Sequence, residues 1–121
     1  MGKKILIVDD SKTIRQQVSF TLVKGGFVVV EGEDGKDGIA KLQANPDVCL
    51  ILSDVNMPNM NGLEMIEAIQ RDALSAVPIV MLTTEGSPEL IERAKKAGAK
   101  GWLVKPFKPD QLISAVTKLA G

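Results

Sequence analysis

The sequence predicts an α/β domain in which five parallel strands are covered by helices on both faces. Three observations lead there. Short apolar runs, mostly rich in β-branched residues, recur five times along the 121 residues, each too brief for a helix. Segments with helical spacing of apolar residues separate them, punctuated by glycine and proline. Strands alternating with helical segments of roughly 10–15 residues form βαβ units, whose crossovers make the strands run parallel.

Taken in order, Ile5-Leu6-Ile7-Val8 is the first strand and ends on Asp9-Asp10. Ser11 caps a helix with Ile14, Val18 and Leu22 on one face and Gly25-Gly26 as its stop. Phe20 falls off that stripe and is expected to face outward. Phe27 to Val30 form the second strand, which ends on Glu31; that residue either sits on an outer strand away from the site or, as the preferred reading, is a solvated turn residue. Gly32 to Gly35 turn the chain. Ile39 and Leu42 with Ala40 and Ala44 mark a short helix ending at Asn45-Pro46. Val48 to Leu52 form the third strand, which delivers Asp54. Pro58 bars a helix there and biases Met57 away from α conformation. Asn59 to Gly62 read as loop, and a helix from about Leu63 carries Ile66 and Ile69 inward. Pro78 to Leu82 form the fourth strand, ending on Thr83-Thr84-Glu85. Ser87-Pro88 starts a helix with Leu90, Ile91 and Ala94 inside and Gly98 as its stop. Gly101 to Val104 form the fifth strand, ending on Lys105-Pro106. Pro109 opens the last helix, with Leu112, Val116 and Leu119 on one face. Met57, Met60 and Met65 read as loop and core filler.

Composition removes several functions. Charged residues make up 25% and balance at fifteen of each sign, without the basic excess of a nucleic-acid binder. No apolar stretch approaches a membrane span, and Lys3-Lys4 lead straight into a strand, not a signal peptide. One domain over residues 1–121 accommodates the whole length. Cys49 is the only cysteine and reads as a buried structural thiol, which suits a reducing cytoplasm. There is no histidine, so Ser-His-Asp hydrolysis, Cys-His catalysis and His-ligated zinc are excluded. The remaining chemistry falls to carboxylates, hydroxyls and lysine.

In a parallel sheet the strands' polar terminal residues collect along one edge, where open α/β sheets bind ligands. Here they are Asp9, Asp10, Asp54, Thr83 and Lys105. Alone, Asp54 reads as an ordinary turn residue. Together, three carboxylates cannot crowd ionised without raising one another's pKa. A divalent cation relieves the conflict, and an all-oxygen site suits Mg²⁺, with Mn²⁺ a second possibility. Asp10 and Asp54 are expected as direct ligands, Asp9 partly through water, and the Asn56 backbone carbonyl as a further ligand. Lys105 and Thr83 with the metal would cradle three phosphoryl oxygens. Phosphoryl transfer needs little beyond positioning and charge stabilisation, and an Asp carboxylate can serve as its nucleophile.

Asp9-Asp10, the run Ser53-Asp54-Val55-Asn56-Met57-Pro58-Asn59-Met60-Asn61-Gly62, Thr83 and Lys105-Pro106-Phe107 resemble the receiver domain of bacterial response regulators, in order and at matching spacing over the whole chain. The likeness is to stand-alone members that serve chemotaxis, with no output domain after the last helix. It implies a flavodoxin-like sheet of order 2-1-3-4-5. It implies a histidine kinase as phosphodonor, Asp54 as phosphoacceptor, and Thr83 and Trp102 as switch residues. It also implies a cis Lys105-Pro106 bond. The face of the fourth helix, fifth strand and fifth helix would bind a target, a flagellar-switch protein in chemotaxis. A monomer, served by a phosphatase that resets it, completes the picture. Asn56 and Glu85 occupy positions that tune phosphate lifetime.

Two residues depart from the family pattern. Thr84 stands where a small residue such as Ala is usual, and narrows access to the phosphoryl group. Trp102 is larger than the usual Tyr or Phe, and overfilling a packed site costs about 1–3 kcal/mol. Competing readings are a receiver in another phosphorelay and a Mg²⁺-dependent phosphatase with an aspartyl nucleophile. The phosphatase class commonly places a second Asp where this chain has Asn56. A dinucleotide-binding fragment fits poorly, because Gly32, Gly35 and Gly38 do not make G-x-G-x-x-G and follow strand two.

Overall fold

A computed structural model describes residues 2–55, 57–72, 74, 76–83, 87–105 and 107–120. Strands β1 (Lys4–Val8), β2 (Val28–Gly32), β3 (Val48–Asp54), β4 (Ile79–Thr83) and β5 (Gly101–Val104) alternate with helices α1 (Lys12–Lys24), α2 (Gly35–Ala44), α3 (Gly62–Arg71), α4 (Pro88–Lys96) and α5 (Pro109–Ala120). The sheet is parallel in the order β2-β1-β3-β4-β5, as the resemblance implied.

Alternation along each strand divides the core into two layers. Ile5, Ile7, Leu50, Leu52, Val80 and Leu82 meet Val18 and Leu22 of α1 and Leu112 and Val116 of α5. On the other face Leu6, Val8, Ile51 and Met81 meet Leu42 of α2, Leu63, Ile66 and Ile69 of α3 and Ala94 of α4. Both faces of β1, β3 and β4 are therefore covered, which is why their sequences read as unbroken apolar runs. Met65 lies wholly inside the second layer, with Met57 and Met60 packed at its rim. Phe20 faces outward, 70% exposed.

Helix ends follow their local chemistry. Ser11, Asp34, Asn61 and Ser87 each accept a backbone N–H from the first turn of the helix that follows. Asn61 and Glu64 form a reciprocal capping box. That box starts α3 at Gly62, inside the stretch expected to be loop. Gly26 and Gly98 adopt positive φ at the ends of α1 and α4.

Strand two differs from expectation. It runs Val28–Gly32 rather than from Phe27 to Val30, so Glu31 is an exposed residue of an outer strand, the less favoured of its two readings, and not a turn residue. β2 is an edge strand, and Glu31 uses its exposed side to bind α1: Arg15 Nε donates to Glu31 Oε1 at 3.1 Å and Ser19 Oγ to Oε2 at 3.2 Å.

Candidate functional site

Register brings the polar strand ends level. Val8 pairs with Ser53, so Asp9 emerges beside Asp54. Asp54 pairs with Leu82 and Thr83 with Val104, so Thr83 and Lys105 follow along the same edge. One carboxylate oxygen from each of Asp9, Asp10 and Asp54 lies within 4.8 Å of the others.

The three carboxylates are held very differently. Asp9 is buried and fixed at every polar atom. Its N–H donates to Gly32 O at 3.1 Å, its carbonyl accepts from Arg15 Nη1 at 2.6 Å, Oδ1 accepts from Ser11 N–H at 2.9 Å, and Oδ2 accepts from Lys105 Nζ at 2.9 Å. Asp10 is exposed. Asp54 is half-buried; Oδ1 accepts the Val55 N–H at 2.8 Å, and Oδ2 lies 3.7 Å from Lys105 Nζ. A cation arriving here finds Asp10 and Asp54 the more available donors. Asp9 Oδ2 is already committed to Lys105.

Burial pushes the Asp54 carboxyl above the ordinary carboxylate value, and the charges of Asp9 and Asp10 push the same way. Lys105 and the Val55 N–H oppose the rise without cancelling it. Lys105 thus offsets only part of the conflict among three carboxylates. The donor set is all oxygen and its charge is under-compensated, so the residues fit Mg²⁺ on chemical grounds.

Thr83 is completely buried at the end of β4, and its carbonyl accepts the Lys105 N–H at 2.7 Å. By strand alternation its side chain shares a sheet face with Met81 and Trp102, which pair across β4 and β5. Trp102 is half-buried against the α3–α4 layer beside a small cavity walled by Ile91, Ala94 and Lys95 of α4. Its indole Nε1–H is buried with no hydrogen-bond partner among the described residues. An unmet buried donor costs about 1–3 kcal/mol. Trp102→Phe will therefore unfold within about 1 kcal/mol of the parent, or later, because removing the orphan donor offsets lost ring burial. Denaturant titration checks this; a loss well beyond 2 kcal/mol would mean the indole N–H is satisfied in solution.

The loop after Asp54 is fastened by residues that were read only as loop. Asn59 takes φ 64, a conformation Asn tolerates, and its Nδ2 donates to Asp34 Oδ2 at 2.8 Å. Met60 N–H donates to Pro58 O and Met60 O accepts the Gly35 N–H, tying the loop to the start of α2. Gly62 donates its N–H to Val55 O at 2.9 Å, and a Cβ there would run into the Asp54 carbonyl oxygen. The expected roles of the Asn56 carbonyl and side chain, Thr84 and Glu85, and the cis Lys105-Pro106 bond, lie outside the described residues.

Sequence reasoning missed Arg15 and Gly62. Arg15 did leave a signal: α1 opens with Lys12 and Arg15 and no acid in its first turn, although a helix N-terminus favours anions. For Gly62, the Asn61-x-x-Glu64 box announced the helix start but not the close approach to Asp54.

The chain belongs to the response regulator receiver domain family, whose profile matches residues 5–117. It is a CheY-type receiver, a signalling protein of two-component systems. Over 120 residues it is 41% identical to the chemotaxis protein CheY1 of Helicobacter pylori, covering 98% of this chain and 97% of that protein. The structure of Vibrio cholerae chemotaxis protein CheY4 superposes with a TM-score of 0.91 at 44% identity, over 98% of this chain and 99% of that one. A chain from the Borrelia burgdorferi CheX–CheY–BeF3–Mg²⁺ complex gives a TM-score of 0.88 at 25% identity, over 95% of this chain and 87% of that one. No helix among the described residues is long and apolar enough to cross a membrane.

Proposed function

We propose that Asp54 accepts a phosphoryl group from a histidine kinase, with Mg²⁺ held by Asp10 and Asp54 and approached by Asp9. The observation that carries this reading is the convergence of Asp9, Asp10 and Asp54 within 4.8 Å, with Lys105 at 2.9 Å from Asp9 and 3.7 Å from Asp54. Bound Mg²⁺ would neutralise charge on the carboxylates and on the incoming phosphoryl oxygens. Lys105 and Thr83 would take up the remaining oxygens. In the transfer, the bond from phosphorus to the donor's histidine nitrogen breaks as one to an Asp54 carboxylate oxygen forms. The Borrelia complex, with BeF3 and Mg²⁺, supports a site for a metal and a phosphoryl-like group together.

Thr83 and Trp102, on one face of the sheet, would carry the change to α4, β5 and α5, where a target binds. The relatives' chemotaxis names support a flagellar-switch component as that target. The match to CheY1 over 120 residues supports a cytoplasmic regulator. The CheX partner of the Borrelia protein supports a second protein that acts on the phosphorylated form, the phosphatase of this circuit.

Acetyl phosphate tests the reading without the kinase. In Mg²⁺ the protein will gain one phosphoryl group by intact mass, mapped to Asp54, and in EDTA it will gain none. An adduct of equal yield in EDTA, or one mapped elsewhere, would overturn it.

A further inference from the structure

We infer that Arg15 is a positioning residue of the metal site, acting through the peptide that joins Asp9 to Asp10. The inference rests on the Mg²⁺ reading above. Asp9 is anchored through its own side chain, but Asp10 is exposed, and its direction depends on the peptide plane it shares with the Asp9 carbonyl. Arg15 Nη1 grips that carbonyl at 2.6 Å. Its Nε is held in turn by Glu31 Oε1 at 3.1 Å, and Ser19 Oγ holds the other Glu31 oxygen at 3.2 Å. The Arg15 side chain is only 15% exposed, against 41% for Glu31, so its hydrogen bonds lie in the more protected half of the chain of contacts. A planar guanidinium can serve the carbonyl and the carboxylate at once; an ammonium cannot reproduce that fork. Edge strand β2 thus braces a turn whose side chains face the metal.

Coulomb's law and positioning predict opposite results for one substitution, which makes the inference decidable. If charge alone mattered, deleting a cation near a Mg²⁺ site would tighten binding. If Arg15 orients Asp10, deleting it weakens binding, by about tenfold as is common for groups that orient metal ligands. The experiment is Mg²⁺ titration by calorimetry of the full chain, with folding checked by circular dichroism. Arg15→Met will bind Mg²⁺ about tenfold more weakly, Arg15→Lys will recover only part of the loss, and Glu31→Gln will show a smaller loss. Arg15→Met/Glu31→Gln will bind no more weakly than Arg15→Met alone, because the two act in series. Unchanged or tighter binding in folded Arg15→Met would overturn the inference. Absence of Mg²⁺ binding in the parent would instead overturn the site reading beneath it. Should Arg15→Met not fold, Glu31→Gln decides: unchanged affinity there removes the brace.

Discussion

The Asp54→Asn protein will take no phosphoryl group from acetyl phosphate and Mg²⁺, and its metal-free form will be harder to unfold than the parent at neutral pH. Both results come from one carboxylate. An amide has no anionic oxygen to attack phosphorus, so adduct formation will fall below detection by intact mass. The stability result follows from burial, which together with Asp9 and Asp10 raises the Asp54 carboxyl above 3.8 in the folded chain. A carboxyl with a raised folded-state pKa contributes stability that is fully present below the unfolded value and is lost as pH rises through the folded value. At neutral pH the ionised Asp54 therefore weakens the fold, and Asn removes that charge. Lys105 is not stranded by the change, since it keeps Asp9 at 2.9 Å. Denaturant unfolding in EDTA will show the variant's advantage at neutral pH, and the gap will close as pH falls toward 3.8. A pH-independent gap, or an adduct on the variant, would contradict the account. Mg²⁺ will reverse the ranking, because the parent gains binding energy that the variant lacks.

Gly62→Ala will cost about 2–3 kcal/mol of unfolding free energy and will slow phosphorylation by tenfold or more. Alanine favours helix by up to about 1 kcal/mol over glycine, so propensity alone predicts the opposite sign. Sterics decide the outcome. The added methyl would overlap the Asp54 carbonyl and crowd Met81, so either α3 or the end of β3 must move. Movement at β3 carries the Asp54 carboxylate out of line with Lys105 and Asp10, and small displacements of a reacting group are expensive. Chemical denaturation and the initial rate of adduct formation measure the two effects. Wild-type values for both would show that α3 can retreat without disturbing β3.

What could be read in advance divides along range of interaction. Strands β1, β3 and β4 were legible because burial on both faces leaves unbroken apolar stretches at residues 5–8, 48–52 and 79–82. The gathering of Asp9, Asp10, Asp54 and Lys105 was legible because parallel strands must end at one edge. Strand order was not, since periodicity is the same for every permutation; it came from the family resemblance. For Glu31 the turn reading was preferred over the outer-strand one because an edge strand has a solvated side, where an acid looks like a turn residue. Arg15 and Gly62 were hidden for a related reason. Their roles depend on which backbone atom a distant element brings near: the Asp9 carbonyl for one, the Asp54 carbonyl for the other. The pairing of Lys105 with Asp9 was hidden likewise, since adjacent identical residues carry no mark of which one a lysine 96 positions from the first will reach.

That separation of 96 positions between Lys105 and Asp9 has a consequence for the protein's birth. Synthesis delivers Asp9, Asp10 and Asp54 long before Lys105, and β5, at the sheet's edge, is the last of the five strands along the chain. A chain still growing holds its acidic residues without the lysine that completes the cleft. On the proposed reading, a chain cut before β5 would keep its three carboxylates but lack Lys105, and the cradle for a phosphoryl group would stay incomplete.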